Sequence, residues 1–137
     1  MAVILALLAG VFTAVESSIN SQLGKQITPS IATLHSLATG AVFMLIISLV
    51  RGSSSRYIQV FSISPVWLIG GFFGAMIIYL SSRAIPVLGV SKALTLILTA
   101  QIITGLLIDL FFEGVRIDFY KVFGVLFLLL GANLVIR

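Results

Sequence analysis

The chain is 137 residues long, 60% hydrophobic and 9% charged, with a mean hydropathy of +1.25. A water-soluble domain of this size needs far more charge to cover its surface, so the composition is that of an integral membrane protein. The net charge is +4, but the eight Lys and Arg are scattered singly, and no basic cluster or aromatic ladder is present to engage phosphates or bases, which excludes nucleic acid as a partner.

A membrane-crossing helix needs about 20 mostly apolar residues. The first eighteen, MAVILALLAGVFTAVESS, lack the basic start and small-residue cleavage site of a secretory signal; the first basic side chain is Lys25. They read as a retained first span over about 2–22, closed by GKQITP. Pro29 suits the first turn of the next helix, where its missing N–H is not needed, and span 2 covers about 30–50. The longest polar connection, RGSSSRYIQVFSIS at 51–64, has an interfacial part at YIQVF. Span 3 starts at Pro65, carries Trp67 at the interface and runs to about Ser82 (65–82); Pro86 and Gly89 in RAIPVLG are expected to break the helix beyond it. Span 4 covers about 90–112, with Gly114 suited to its C-terminal cap. Asp118 is placed to cap span 5 at 119–136. The chain, residues 1–137, is thus a single all-α membrane domain of five spans.

An odd number of spans puts the two termini on opposite sides. Arg51, Arg56, Arg116 and Lys121 fall on the N-terminal side, and Lys25, Arg83, Lys92 and Arg137 on the other. Orientation follows the difference in that count, and here it is four against four. A chain balanced in this way is able to insert either way up, and its two orientations together can build an antiparallel dimer.

Within the spans lie Glu16, Asn20, His35, Lys92, Gln101, Asp109 and Asn133. Ionisable groups inside a membrane usually face a bundle interior or an aqueous cavity. Asn20 is one turn from Glu16 on the same helix face, His35 lies at similar depth on the adjacent antiparallel span, and Gln101 is near the middle of span 4. Glu16, Asn20, His35 and Gln101 are therefore the expected polar lining of a cavity, to which Ser17, Ser36 and Thr104 can add hydroxyls. Burial disfavours the charged form of any carboxylate, which lets a proton and a cationic substrate compete for one site. A Glu16–His35 hydrogen bond that only locks two helices together is the structural alternative. Lys92 and Asp109 are close enough to helix ends to reach the headgroups, and Asp109 and Asn133 are expected to be structural. Tyr79 suits the interfacial belt. Gly70 and Gly74 form a G-x-x-x-G and Gly124 and Gly131 share a face, spacings that permit close helix packing. With no cysteine, one histidine, no metal-ligand spacing and no phosphate loop, the sequence points to no enzyme, metal or cofactor.

The stretches AVESSINSQLG, ATLHSLATGAVFML, GGFFGAMIIYLSSRAIPVLGVSKALTLILTAQIITGLLID and GVLFLLLGANLVIR together resemble the YdcZ-like small proteins of the drug/metabolite transporter superfamily over almost the whole chain. The block from Gly70 to Asp109, with Pro86, Gly89 and Gln101, is its most specific part. The resemblance implies half of a ten-helix transporter of the bacterial inner (plasma) membrane, completed by a second copy as an antiparallel homodimer or by an oppositely oriented paired homologue. The span 1 motif of that family more often has Gln at the position of Glu16, ahead of the Ile-Asn seen here as Ile19 and Asn20. A glutamate there is similar to the small multidrug resistance proteins, four-helix relatives that use a first-helix glutamate for proton-coupled export of cations. The expected function is therefore that of a secondary transporter subunit, exporting a small cationic or amphipathic compound against protons by alternating access. A small dual-topology ion channel and a non-transporting membrane assembly partner remain as alternatives.

Overall fold

The computed structural model describes residues 1–111 and 118–137. Among them are five helices, α1 (Ala2–Gln26), α2 (Pro29–Val50), α3 (Gly70–Leu88), α4 (Val90–Phe111) and α5 (Phe119–Ile136), with 3₁₀ segments at Ser54–Ser62 and Pro65–Ile69 and no strand. All five spans, counting Pro65–Leu88 as one, are long and apolar enough to cross a membrane. Helices are what lipid demands, since hydrocarbon offers no water to satisfy backbone N–H and C=O groups. The chain forms two compact units, Met1–Val87 and Leu88–Arg137.

In the first unit, α1 runs four residues past its expected end. Neither Gly24 nor Lys25 stops it, and the Ile27 N–H still donates to the Leu23 carbonyl at 3.0 Å. Pro29 sets the limit, because a residue before proline is pushed out of the helical region: Thr28 is extended, with φ −153° and ψ 152°. Thr28 then caps α2, its hydroxyl accepting from the Ile31 N–H at 3.3 Å, with Pro29 in the first turn as expected. Lys25 in the last turn of α1 complements the helix dipole.

The buried residues of α1 are Ser17, Asn20, Ser21 and Gly24, a single stripe at helical spacing, and α2 buries Ala32 and Thr33. Small side chains let backbones approach closely in a membrane. A Cβ added at Gly24 would lie 3.4 Å from the Pro29 Cα, an ordinary contact that shows how near the two helices come at this point. By contrast, a Cβ at Gly70, Gly74, Gly124 or Gly131 would meet nothing within 4 Å. The close approach in this unit is at Gly24, and the chain's described residues do not pack closely on those four glycines.

Helix α2 ends in a Schellman motif. Gly52 adopts the left-handed conformation at φ +65°, the Gly52 N–H donates to the Leu49 carbonyl and the Ser53 N–H to that of Ser48. The 3₁₀ segment that follows leaves Tyr57, Ile58 and Phe61 exposed. It joins two membrane-length helices, and YIQVF falls within it.

Helix α3 corrects a further expectation. It does not stop near Ser82 but continues through Pro86 to Leu88. A proline removes one N–H and crowds the carbonyl four residues back, here that of Ser82, and two residues before a helix end little remains to disrupt. Gly89, at φ +82°, is what stops it. On α3, Arg83 donates to the Tyr79 hydroxyl at 3.3 Å with its guanidinium 5.7 Å from the ring centroid, the pairing of an interfacial belt.

In the second unit α4 and α5 pack against each other. Asp109 and Lys121 form an ion pair of 3.8 Å, each side chain partly exposed, so Asp109 binds the neighbouring helix rather than standing alone near the headgroups. Asp118 occupies the capping position of α5, yet its side chain makes no capping bond. Its carbonyl instead accepts from the Lys121 and Val122 N–H groups. Gly114 lies outside the described residues.

Ser81 and Ser82 differ in a way that a mutation reads out. Both are buried, but the Ser81 hydroxyl donates to the Ile78 carbonyl at 3.0 Å, whereas the Ser82 Oγ has no partner among the described residues. A buried unsatisfied hydroxyl costs about 1–3 kcal/mol. Ser82→Ala is expected to leave thermal stability in detergent unchanged or to raise it, and Ser81→Ala to gain nothing.

Candidate functional site

Where α1 and α2 run side by side, Asn20 and Ser36, sixteen positions apart, stand symmetrically about Thr28 and meet. The antiparallel register of the hairpin follows from that contact. The Asn20 Nδ2 donates to the Ser36 Oγ at 3.2 Å and to the Glu16 Oε1 at 3.4 Å. The Ser36 hydroxyl donates to the same carboxylate oxygen at 3.3 Å. Glu16, Asn20 and Ser36 thus close a triangle across two helices.

The reach of the triangle is set by helix geometry. Glu16 and Asn20 are four residues apart on α1, one turn, so both side chains lie over the same strip of α2. Because α1 extends to Gln26, Glu16 stands ten residues from its end, about 15 Å along the axis at roughly 1.5 Å per residue. Gln22, Lys25 and Gln26 make the last turns of α1 polar, so the apolar stretch stops short of the helix end, and Glu16 lies inside a helix long enough to cross a membrane.

The triangle forms one wall of a groove of about 760 Å³, within the usual range for small-molecule sites. Its lining comes from α1 and α2 and is mostly apolar, with Phe12, Val15, Ile19 and Leu23 beside Glu16. His35 lines it too, so the structure brings together three of the four residues expected to share a cavity: Glu16, Asn20 and His35. Glu16, however, takes its hydrogen bonds from Asn20 and Ser36, not from His35. His35 falls one position before Ser36 and turns to a different side of α2, where Ala38, Val42, Phe43 and Ile46 adjoin it. Gln101 is exposed on α4, in the second unit, and is not part of this lining. Thr104 and Asn133 are likewise exposed on α4 and α5.

The lining also includes Phe12, Thr13 and Thr39, which carry no ionisable group. Their positions give them away once Glu16 is fixed, since Phe12 and Thr13 lie four and three residues before it, on the same face of α1. Both threonines turn their hydroxyls to backbone, Thr13 to the Ala9 carbonyl at 2.9 Å and Thr39 to that of His35 at 2.8 Å.

A carboxylate on the first of five apolar helices, hydrogen-bonded by Asn20 of the same helix and Ser36 of the second, lies in a chain whose sequence a family model described as "Putative inner membrane exporter, YdcZ" matches over residues 1–134. The chain belongs to the YdcZ family. It is therefore a multi-pass inner-membrane protein of a transporter family, not of an enzyme family. Comparison with curated proteins gave no match, and comparison with solved structures gave none either. For this YdcZ family member, the geometry of the α1–α2 groove is accordingly the most direct guide to mechanism.

The triangle makes a stability prediction. Interhelical polar contacts in membranes are worth about 0.6 kcal/mol on average and up to about 1.7 kcal/mol. Asn20 is buried and bonds both helices, so Asn20→Ala is expected to lower the thermal stability of the purified protein by an amount in the upper part of that range. Ser36→Ala removes both bonds that cross between the helices, Asn20–Ser36 and Ser36–Glu16, and is expected to cost about as much.

Proposed function

We propose that the chain is the subunit of a proton-coupled exporter of small cationic or amphipathic compounds, working by alternating access as an antiparallel homodimer. The observation that carries this reading is Glu16: an ionisable group within a membrane-length helix, held by Asn20 and Ser36, in a groove that is otherwise mostly apolar. Ionisable side chains inside membrane spans are costly and mark ion or substrate pathways. A carboxylate retained there is best accounted for by chemistry that needs it, and exchange of a proton for a cation is such chemistry.

Three further facts support the reading. The chain belongs to an exporter family. It holds five spans, so two copies in opposite orientations would supply the inverted repeats from which many secondary transporters are built. Its basic residues are divided four against four between the two sides, which leaves topology free to go either way. In the dimer each copy contributes one Glu16 to a central site, with Asn20 and His35 beside it. Gln101 is assigned to the same pathway as a polar contact from α4.

The test has two arms. A single Cys added after Arg137, in a chain with no other cysteine, is expected to label at about half yield from outside intact cells with an impermeant thiol reagent, and fully after permeabilisation, as even division of the topology signal requires. All-or-none labelling would exclude the homodimer. In proteoliposomes with an imposed pH gradient, saturable uptake of an organic cation with counter-movement of protons is expected, and Glu16→Gln is expected to abolish it. If coupled transport survived that substitution, Glu16 would not be the coupling group.

A further inference from the structure

We propose that the groove selects protonated primary or secondary amines on an apolar or aromatic body, in preference to guanidinium and above all to quaternary ammonium ions. This rests on the reading of Glu16 as the binding carboxylate and names the chemistry it recognises.

The argument is a census of donors and acceptors. Asn20 directs its amide protons to the Glu16 Oε1 and the Ser36 Oγ. The Ser36 proton goes to the Glu16 Oε1, the Thr13 proton to the Ala9 carbonyl and the Thr39 proton to the His35 carbonyl. The amide and hydroxyl donors around the groove are therefore engaged within the protein. What these groups still offer an occupant is acceptors, with His35 able to supply one donor and one acceptor when neutral. The strongest acceptor is the Glu16 Oε2, which has no hydrogen-bond partner among the described residues.

An occupant must therefore bring N–H groups. A quaternary ammonium neutralises the charge but leaves Oε2 without a hydrogen bond as water is displaced, and a site built to bond a donor rejects analogues lacking one. A charge-assisted bond from an ammonium N–H is roughly twice as strong as a neutral one. The clamp on Oε1 decides against guanidinium. Guanidinium reaches its full strength on a carboxylate through two parallel bonds, one to each oxygen, and here Oε1 already accepts from both Asn20 and Ser36. An ammonium directs one N–H at Oε2 and leaves the triangle intact, while its other N–H groups meet the acceptors that remain around the groove. The rest of the ligand meets Phe12, one turn from Glu16 on α1, and Val15 and Ile19, which suit an apolar body and allow a cation–π contact.

The test uses the full chain reconstituted in nanodiscs and three probes that share one body: phenethylamine, phenethylguanidine and trimethylphenethylammonium. Calorimetric affinities are expected in that order, with the amine at least about tenfold tighter than the quaternary ion, the effect of about 1.4 kcal/mol from one charge-assisted bond. Ser36→Ala releases Oε1 from one of its two bonds and is expected to narrow the gap between amine and guanidine, a change in selectivity that altered stability alone would not produce. The proposal is overturned if the quaternary ion or the guanidine binds as well as the amine while Glu16→Gln abolishes binding; the exporter reading then stands and only the selectivity fails. If no probe binds and Glu16→Gln leaves coupled transport of other cations unchanged, both readings fall.

Discussion

The close approach of α1 and α2 is the constraint on which the rest of the site depends. Gly24 lies close against Pro29, and the stripe that continues from it, Ser21, Asn20 and Ser17, is small or polar throughout. In lipid there is little hydrophobic force to draw two helices together, so contact comes from packing of small residues and from hydrogen bonds. Both are present here, in order along the hairpin: packing near the turn, then the bonds of Asn20 and Ser36. A wider hairpin would part Ser36 from Glu16, and the carboxylate would lose its fixed orientation before anything at the groove itself had changed.

Much of this architecture is legible in the residues. The five spans follow from apolar length, and Pro29, Gly89 and the polar run after Val50 mark their limits because each changes what the backbone can do. Where reading and structure part, local rules compete. Gly24 looks like a stop signal, but a helix ends only where its hydrogen bonds fail, and they persist until Pro29 forbids the helical conformation at Thr28. Pro86 looks like a breaker, yet so near the end of α3 it removes a bond that the helix hardly needs. Gly52 stands one residue, Arg51, beyond the apolar run and ends α2 by a signal the sequence does contain.

The site was legible to a different degree. Glu16 stands out by charge alone, and Asn20 by its spacing from Glu16. The partner on α2 does not, because which side chain crosses the interface depends on helix rotation to within one residue. His35 carries the more conspicuous chemistry, but Ser36, its neighbour, is the one rotated toward Glu16. A serine in a membrane helix usually returns its proton to its own backbone, as Ser81 does, so nothing in its identity announces a bridging role. Gln101 belongs to the other unit, and neither spacing nor composition relates residues across units.

The exposure of Glu16 also bears on the life of the protein before it works. Glu16 is exposed on a helix that is otherwise almost wholly apolar. An ionisable side chain open to hydrocarbon weakens the insertion of the helix that bears it. Insertion of α1 therefore leans on α2, whose Ser36 gives that carboxylate a hydrogen bond, and the hairpin enters a bilayer better as a pair than as two single spans.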